Sequence, residues 1–349
     1  MSRGNFRGSH ERNRCWPGSR ANYCCKGVHL MSKILVTGGA GYIGAHVCDV
    51  LTNNGYQVRV FDDFSNGLKR RITGRFEGVF EGDITDRDAL VKALDGIDGV
   101  IHLAAKKAVE ESVANPLKYY SNNVGGTLNL LAAMSLRNVK KLVFSSSAAV
   151  YSPSDKPAIE EIDPTVPLSP YGATKLLSEH VISKVAQAEG ISAISLRYFN
   201  VVGSSRVEYG DNSKDNLVPK VFAAYKVGDR PEIYGSDYPT KDGTCIRDYI
   251  HVGDLAEAHL AALRKAESGL VDEVYNVGSG SGYSVKEMMD QMAKSMGIDL
   301  NPKYSARRAG DSPQLIASTL KIEKELGWKP KATLEEMIES SWAAEKANP

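Results

Sequence analysis

Cysteine is scarce over most of the chain, and the sequence has no long apolar run. Three of the five cysteines lie within the first thirty of the 349 residues, which leaves Cys48 and Cys245 for the rest. Two cysteines cannot build a disulfide framework, so this composition favours a reducing cytoplasm. No apolar run approaches the roughly 18 residues that a membrane helix requires, so we predict neither a membrane span nor a membrane partner.

The chain also lacks a large net charge, and the charge that it has is unevenly distributed. The first thirty residues carry six Lys or Arg against one Glu, a local charge of +5, so that the net +1 of the chain leaves −4 for residues 31–349. A weakly acidic body is not attracted to polyanions, which argues against nucleic acid as a partner.

Residues 1–30 have no apolar periodicity, and we interpret them as a disordered N-terminal extension. Arginines are scattered where a signal peptide would carry an apolar segment, so export is not expected. A basic arm for an anionic partner remains an alternative. A metal site is a second alternative, and its candidate ligands would be His10, Cys15, Cys24, Cys25 and His29. Their spacing matches no zinc pattern, so no metal is predicted.

From Lys33 onward, short apolar runs alternate with amphipathic segments, which is the pattern of parallel strands joined by helices. The predicted strands are KILVTGG, YQVRVFD, GVFEGDI, GVIHLAA, KLVFSSS and ISAISLRYF. Helices are expected over Tyr42–Asn54, Asp86–Leu94 and Pro116–Met134, and from Pro170. This alternation predicts an α/β fold with a doubly wound parallel sheet of the Rossmann type over residues 31–200.

After Asn200, glycine-rich and charged loops replace the regular alternation, and long loops of this kind usually carry function. Two later helices are expected to begin with capping boxes, Ser284 with Glu287 and Thr333 with Glu336. We therefore predict a smaller C-terminal α/β substrate domain over residues 201–349, with a segment near 244–272 returning to the first domain.

The glycine-rich segment TGGAGYIG lies between the first predicted strand and the first predicted helix. Glycines allow a tight turn there and let backbone N–H groups at the start of the helix approach a pyrophosphate. The segment alone is a weak signal, but its position between strand and helix predicts a dinucleotide site. The cofactor-binding residues are expected to be Gly38, Gly41, Tyr42, Ile43 and Gly44.

Two later strand ends extend the predicted dinucleotide site. Asp62 ends the second strand, where a carboxylate binds both ribose hydroxyls and repels a 2′-phosphate, so NAD is favoured over NADP. Asp83 and Ile84 end the third strand, where the adenine would lie. An ordinary strand end followed by a turn explains this pair nearly as well, and both interpretations stay open.

The segment SPYGATK places Tyr171 and Lys175 four residues apart on a helix that follows the strand KLVFSSS. Residues four apart are neighbours on any helix, so a surface pair is the alternative. A tyrosine is a poor base at its ordinary pKa of about 10, but an ammonium one turn away favours the phenolate. The strand should end near the nicotinamide. A hydroxyl there could share a proton with a substrate, and the candidates are Ser145, Ser146 and Ser147.

These motifs together resemble the UDP-glucose 4-epimerase family, which belongs to the extended short-chain dehydrogenase/reductase superfamily. The resemblance covers nearly all of the chain from Lys33 onward, and many motifs occur in the family's order. They are VTGGAGYIGAH, AAKKAVEESV, YYSNNVGGT, FSSSAAVY, SPYGATK, LRYFNVVG, DYPTKDGTCIRDYIHV and RRAGD.

The resemblance implies a role for each matching position. Tyr171 would be the base, Lys175 would bind the nicotinamide ribose and lower the tyrosine pKa, and Ser147 would bridge the sugar 4-hydroxyl. Lys107 would contact NAD, and Asn123 would lie beside the reacting sugar. The remaining positions would bind the nucleotide sugar, with Tyr234 packed against uracil: Asn200, Asn216, Tyr234, Arg247, Arg308 and Asp311.

The residues by themselves leave several of these roles open. Two arginine forks from separate loops could bind one diphosphate, although a solvated surface charge explains either arginine as well. Asn200 could cap a strand end, and Tyr234 could lie in the core. His102 lies on an apolar strand, so we predict a buried, hydrogen-bonded histidine rather than a catalyst.

The resemblance implies an NAD-dependent isomerase that interconverts UDP-glucose and UDP-galactose. Tyr171 would remove the 4-hydroxyl proton while hydride passes to tightly held NAD. The 4-keto sugar would then rotate and present its other face before the hydride returns. A nucleotide-sugar 4,6-dehydratase begins with the same oxidation, but that family places an Asp-Glu pair where this chain reads SSSAAVY. A non-catalytic NAD-binding sensor would not need Tyr171 and Lys175.

One departure from the family pattern affects the expected substrate. Leu315 stands four residues after Asp311, where some members carry a tyrosine that narrows the sugar pocket. A leucine is smaller, so UDP-GlcNAc and UDP-GalNAc are alternative or additional substrates. The family also pairs the helices around 116–134 and 171–190 with those of a second copy, so we expect a cytoplasmic homodimer.

Overall fold

The apolar runs and amphipathic segments of the first part of the chain become strands and helices in the computed structural model. The structure describes Met1 and residues 31–72, 76–154, 156–308 and 311–348. The predicted disordered extension and its alternative metal site therefore lie outside the described residues, apart from Met1. Up to Tyr198 the elements are β1 (Lys33–Thr37), α1 (Tyr42–Asn53), β2 (Gln57–Asp62), β3 (Gly78–Glu81), α2 (Arg87–Ala93), β4 (Gly99–His102), α3 (Val109–Ala114), α4 (Pro116–Tyr119), α5 (Gly126–Arg137), β5 (Lys141–Ser145), α6 (Pro170–Glu189) and β6 (Ser192–Tyr198).

Shorter strands and longer loops follow. The later elements are β7 (Asn200–Val202), α7 (Leu217–Lys226), β8 (Glu232–Tyr234), β9 (Ile246–His251), α8 (Val252–Glu267), β10 (Asp272–Val277), β11 (Gly282–Ser284), α9 (Val285–Met296), β12 (Lys303–Ser305), β13 (Gln314–Leu315), α10 (Leu320–Leu326) and α11 (Leu334–Ala347). Both predicted capping boxes are confirmed, at the starts of α9 and α11. No helix within the described ranges is long and apolar enough to cross a membrane.

In the described part of the chain, seven strands form one parallel sheet in the order β10-β6-β5-β4-β1-β2-β3. The chain runs outward from β1 to β3 and then returns to the other side of β1 with β4. Such a reversal opens a crevice at the carboxyl ends of β1 and β4, where ligands of doubly wound sheets bind. The predicted fold class is confirmed.

Helices cover both faces of this sheet, which is why its strands are almost continuously apolar. Side chains of successive strand residues point to opposite faces, so Ile34 and Val36 join one core cluster and Leu35 joins the other. α1 and α8 supply the first cluster, whereas α2, α5 and α6 supply the second. The late element α8 also packs against β5 and β6, and β10 extends the sheet beyond β6.

Smaller sheets carry several of the residues predicted to bind substrate. β9 pairs with β7, β11 and β13, and this register sets Leu315 opposite Arg247. β8 pairs with β12 and carries Tyr234 at its end. A third apolar cluster, which includes Phe222, Met288 and Ile338, lies under these sheets.

The helix predicted over Pro116–Met134 is not continuous. α4 ends at Tyr119, a π-helical turn spans Tyr120–Gly125, and α5 then continues to Arg137. α5 begins directly after this turn with Gly126, where a Cβ would lie only 2.6 Å from Cγ2 of Ile84. Isolated π-turns often occur at functional sites, and this one contains Asn123.

Candidate active site

The glycine-rich segment forms a cradle between β1 and α1. Gly38 has a φ of +73°, and a Cβ there would lie 2.8 Å from the Ala104 backbone nitrogen. A Cβ at Gly44 would overlap the Gly38 carbonyl oxygen and lie 2.8 Å from the Gly39 Cα atom. Gly41 is the N-cap of α1, and no side chain caps the helix there. The pyrophosphate of a dinucleotide fits such a helix start, because its N–H groups are open and no side chain covers the backbone. The residues of this cradle are Gly38, Gly41, Tyr42, Ile43 and Gly44.

Asp62 ends β2 beside this cradle. Its carboxylate accepts hydrogen bonds from the Ala40 N–H at 2.9 Å and the Phe64 N–H at 2.8 Å. Burial raises the pKa of Asp62, and the two N–H donors oppose this effect because they favour the carboxylate. Two oxygens can accept more than two hydrogen bonds, so the side chain fits the predicted contact with ribose hydroxyls.

Asp83 and Ile84 lie beyond the next strand end, after β3. The Asp83 carboxylate accepts from the Thr85 N–H at 2.7 Å and its hydroxyl at 2.8 Å, the bonding of a turn. Ile84 is buried against Gly126. The turn interpretation is thus visible in the structure, and the adenine contact stays a prediction.

α6 presents the predicted base at its first turn. Ser169 caps the helix by accepting the Gly172 N–H at 3.1 Å, and Pro170 occupies the first helical position, where its missing N–H costs nothing. This start places the Tyr171 phenol near Ser147. Burial raises the pKa of Tyr171, whereas the neighbouring Ser147 side chain lowers it. The surface-pair alternative is wrong, because Tyr171 and Lys175 are both buried.

Lys175 lies one turn further along α6 and contacts the end of β5. Its Nζ donates to the Ser145 carbonyl oxygen at 2.7 Å and lies 4.9 Å from the centroid of the Phe144 ring. Burial lowers the pKa of Lys175 to about 7, and the nearby Glu179 carboxylate opposes this shift. An ammonium that remains here needs more negative charge or more acceptors, which a tyrosinate and ribose hydroxyls would supply.

Asn123 links three elements around this site. Its Oδ1 accepts from the Lys106 N–H at 2.9 Å, and its Nδ2 donates to the Lys106 carbonyl at 3.0 Å and to the Thr174 hydroxyl at 3.0 Å. The π-turn aims this amide at the loop after β4, so that Asn123 holds the backbone next to Lys107. The Lys107 side chain is exposed, and its contact with NAD stays a prediction.

Arg247 and Arg308 converge on one carboxylate. Asp311 accepts from Arg247 Nη2 at 3.2 Å and from Arg308 Nε at 3.0 Å, and Arg247 Nη1 also donates to the Ser312 carbonyl at 2.9 Å. We call this group of three, Arg247, Arg308 and Asp311, the arginine–aspartate clamp. The structure thus joins three residues that sequence matching assigned separately, and their charges suit a diphosphate with its ribose.

Tyr234 and Leu315 lie on the strands beside the clamp. The Arg308 guanidinium carbon lies 5.2 Å from the centroid of the Tyr234 ring, a cation–π arrangement. Tyr234 is 37 % exposed, so its alternative as a core residue is wrong and its ring is accessible to a base. Leu315 packs at the edge of an apolar cluster that contains Ala148 and Phe199.

The two remaining asparagines lie near the same region. Asn200 is exposed on β7 and donates through Nδ2 to the Asp248 carbonyl at 3.2 Å. Asn216 stands at the start of α7, where its side chain donates to Asp211 at 2.6 Å and makes no cap bond. Their contacts with a nucleotide sugar stay predictions.

A buried ion pair behind the base helix was missed by sequence reasoning. Arg197 of β6 donates to Glu179 of α6 at 2.7 Å, and Glu179 also accepts from the Ser146 hydroxyl. Glu179 stands four residues after Lys175, and this spacing was the available signal. The ion pair and the Ser146 hydrogen bond fix α6 against β6 and against the end of β5, next to Ser147.

His102 is buried and hydrogen-bonded, as predicted. Its Nδ1 lies 2.7 Å from the Thr37 hydroxyl, and its Nε2 lies 3.2 Å from the Thr127 hydroxyl. Burial lowers its pKa to about 3, so the imidazole is neutral at physiological pH.

Comparison with known families identifies this arrangement. The model of the NAD dependent epimerase/dehydratase family matches residues 34–278. The chain belongs to this family. The predicted family resemblance and the NAD cofactor are thereby confirmed, and the Gly38–Gly44 cradle and Asp62 are the epimerase/dehydratase elements that fit NAD.

Several known epimerases are similar to this chain over most of their length. The UDP-glucose 4-epimerase of Bacillus subtilis is 44 % identical over 330 residues, which cover 90 % of this chain and 97 % of that one. A crystal structure of UDP-glucose 4-epimerase from Bifidobacterium longum in complex with NAD⁺ and UDP has a TM-score of 0.85 and 41 % identity, covering 91 % and 99 % of the two chains. The UDP-Glc/GlcNAc 4-epimerase of Campylobacter jejuni has a TM-score of 0.80 and 39 % identity, covering 90 % and 99 %.

The Gly44→Ala variant should lose bound NAD. The new Cβ would overlap backbone atoms of Gly38 and Gly39, so the backbone of the cradle must move. We expect this movement to cost more than ~1.4 kcal/mol of NAD binding free energy, which corresponds to a tenfold loss of affinity. We expect at least about tenfold less NAD per chain in the purified protein, measured by absorbance after acid release. Gly269→Ala is the control, since its Cβ would meet no atom within 4 Å. Normal NAD content in Gly44→Ala would contradict the assigned cradle.

Proposed function

We propose that the protein is an NAD-dependent 4-epimerase that interconverts UDP-glucose and UDP-galactose through a 4-keto intermediate. One observation carries this proposal: Tyr171 and Lys175 are both buried on successive turns of α6, beside Ser147, where the parallel sheet ends. The similarity to UDP-glucose 4-epimerases supports it. In this arrangement residues 31–200, with a return near 244–272, bind NAD, and residues 201–349 mainly bind the nucleotide sugar.

Proton transfer is the task of Ser147 and Tyr171. Burial disfavours the phenolate of Tyr171 in the ligand-free protein, so a neighbouring positive charge must stabilise it. The Lys175 ammonium is the nearest candidate on the same helix face. NAD, when bound, supplies the acceptor and then the donor of one hydride at the sugar C4 atom. Tyr171 takes the 4-hydroxyl proton through or beside Ser147 and returns it when the configuration has inverted.

The two ends of the substrate site suit the rotation that inversion requires. The arginine–aspartate clamp offers charged groups only where the diphosphate and ribose would bind. The neighbouring sugar region contains Leu315 at the edge of an apolar cluster with Ala148 and Phe199. A ketone held by its nucleotide end and bordered by apolar side chains can turn and present its other face to Tyr171.

A dehydratase, which the family description includes, is not supported. A 4,6-dehydratase must remove a proton from C5 and protonate the leaving 6-hydroxyl, which requires further acids and bases. The segment after β5 carries Ser146, Ser147 and Ala148 instead of acids. Oxidation and return of the hydride at one carbon is the reaction that these side chains support.

Replacement of Tyr171 with Phe should abolish epimerisation while NAD stays bound. A positioned general base contributes about a hundred- to ten-thousand-fold to rate, and we expect turnover of UDP-galactose to fall by that amount without added NAD. Products are resolved by ion-exchange chromatography, with Tyr304→Phe as a control because Tyr304 lies exposed on β12. Conversion of neither UDP-galactose nor UDP-GalNAc by the unmodified protein would overturn the epimerase, and full activity of Tyr171→Phe would remove the assigned base.

UDP-GlcNAc and UDP-GalNAc are proposed as additional substrates because of Leu315. Its side chain is smaller than tyrosine, and it lies opposite Arg247 at the edge of the sugar region. The similar Campylobacter jejuni enzyme is described as a UDP-Glc/GlcNAc 4-epimerase, which supports this wider specificity.

Leu315→Tyr should narrow this specificity. We expect kcat/KM for UDP-GalNAc to fall by about tenfold or more relative to UDP-galactose, because the added ring occupies the space of the N-acetyl group. Both substrates are assayed with the unmodified protein, Leu315→Tyr and the exposed-site control Leu320→Tyr. An unchanged ratio in Leu315→Tyr would show that another part of the pocket sets the specificity.

We propose that the enzyme is a cytoplasmic homodimer. Apolar side chains are exposed on neighbouring helices, and such a patch marks a docking surface; it contains Val113, Leu117, Leu128 and Leu177. These residues lie on α3, α4, α5 and α6, the region where the family forms its dimer. The free thiols of Cys48 and Cys245, both buried, are compatible with a reducing cytoplasm.

Leu117→Glu should convert the dimer into a monomer. Leu117 is 80 % exposed in the single chain, and a carboxylate at its position would be buried without a partner in the dimer. Light scattering coupled to size-exclusion chromatography gives the mass directly. Leu270→Glu is the control, because Leu270 is likewise exposed, at 73 %, and belongs to the loop between α8 and β10 rather than to these helices. A monomeric unmodified protein would overturn the proposal.

A further inference from the structure

The hydroxyl of Tyr238 is buried but has no hydrogen-bond partner. The residue is only 4 % exposed, and within the described residues its Oη is one of three buried side-chain nitrogen or oxygen atoms without a partner. The other two belong to Arg71. Native proteins pair most of their buried polar groups, so an unpaired hydroxyl requires an explanation.

The ring of Tyr238 is held firmly by its surroundings. Gly235, with a φ of +87°, lies so close that a Cβ would collide with the Tyr238 ring. On another side, the Arg307 guanidinium carbon lies 4.2 Å from the ring centroid. The Tyr238 backbone N–H also donates to the Gly243 carbonyl at 2.9 Å. Packing of this kind needs only an aromatic ring, and phenylalanine would satisfy it without an unpaired hydroxyl.

The ring that carries this hydroxyl packs against Arg307, the residue next to Arg308 of the arginine–aspartate clamp. Two consecutive arginines stack on two tyrosines of the same loop region, Arg307 on Tyr238 and Arg308 on Tyr234. Asp311 and Arg247, two members of the arginine–aspartate clamp, are among the charges that act on the Tyr238 phenol. A ligand bound at the clamp would therefore bring polar oxygens towards this hydroxyl.

The clamp itself changes when an anion binds. In this structure the Asp311 carboxylate accepts from both arginines. A diphosphate would compete for the same guanidinium groups because Arg binds phosphate oxygens through paired hydrogen bonds. A phenol can both donate and accept, so the Tyr238 hydroxyl suits the oxygens of such a ligand.

We propose that the Tyr238 hydroxyl is a further substrate-binding group that forms a hydrogen bond with the nucleoside diphosphate end of the substrate. This inference rests on the proposed function and deepens it. The hydroxyl would stay unpaired until the substrate arrives, so its full contribution would appear as binding affinity rather than as stability of the free protein.

The test compares the NAD-loaded protein, Tyr238→Phe and Tyr304→Phe. UDP is the probe, and Kd is measured by titration calorimetry. One neutral hydrogen bond corresponds to a Kd about three- to tenfold weaker for Tyr238→Phe, with Tyr304→Phe unchanged. Without UDP the Tm of Tyr238→Phe should be unchanged or higher, because the variant removes an unpaired polar group. The increase in Tm caused by UDP should be smaller than in the unmodified protein.

Titration with UMP locates the contact. Equal weakening for UMP and UDP supports a contact with the nucleoside or the first phosphate, whereas weakening for UDP alone supports the terminal phosphate. An unchanged Kd for both ligands overturns the inference. A lower Tm without UDP, together with an unchanged UDP effect, also overturns it, since the hydroxyl would then have a structural partner such as a buried water. Failure of the unmodified protein to bind UDP would instead contradict the proposed function.

Discussion

The hydrogen bond from the Lys175 ammonium to the Ser145 carbonyl connects the base helix to the sheet. A buried ammonium is costly unless its protons are bound, so this lysine constrains everything around it. The carbonyl and the Phe144 ring lie on one side, and Glu179 acts from the next turn. Glu179 in turn is paired with Arg197 of β6. α6 is therefore attached to two neighbouring strands, and this attachment sets Tyr171 beside Ser147.

The opposite end of the proposed substrate site is built on a different principle. Two guanidinium groups share one carboxylate there, because Asp311 accepts from both Arg247 and Arg308, and the group keeps a net positive charge. The clamp can exchange one anionic partner for another without leaving either guanidinium unpaired. Between the two ends the structure offers Leu315 and an apolar cluster. Strong binding at the nucleotide and weak directional contact at the sugar together suit an enzyme that must release and recapture the same carbon.

Local spacing explains what could be predicted from the sequence. The glycine cradle, Asp62 and the pair Tyr171 and Lys175 each depend on a few neighbouring residues and on the strand or helix that carries them. The π-turn at Tyr120–Gly125, next to the close approach of Ile84 to Gly126, could not be predicted from local spacing. The pairing of Glu179 with Arg197 likewise depends on the tertiary register of α6 and β6.

A similar limit applies to groups whose partners come from several loops. Matching by family motif named Arg247, Arg308 and Asp311 one by one, but only the fold shows that a single carboxylate joins both arginines. Tyr238 lies within the motif DYPTKDGTCIRDYIHV, but the resemblance assigned it no role, and its unpaired hydroxyl is visible only once packing is known. Sequence spacing therefore predicts functional residues within one helix, strand or loop. Where several elements meet, the hydrogen bonds of the folded structure are needed to show which side chains are paired.

His102 shows how the cofactor cradle and the base helix depend on one another. Its Nδ1 contacts the Thr37 hydroxyl at the end of β1, and its Nε2 contacts the Thr127 hydroxyl, which donates to the Asn123 carbonyl at 2.7 Å and lies 3.3 Å from the Ser178 hydroxyl of α6. A neutral imidazole can donate at one nitrogen and accept at the other, whereas an imidazolium only donates. Burial holds the pKa of His102 at about 3. The imidazole therefore stays neutral, and its hydrogen bonds to the two threonines keep the same donors and acceptors across the physiological pH range. His102 thus joins the end of β1, which precedes the glycine cradle, to Thr127 of α5.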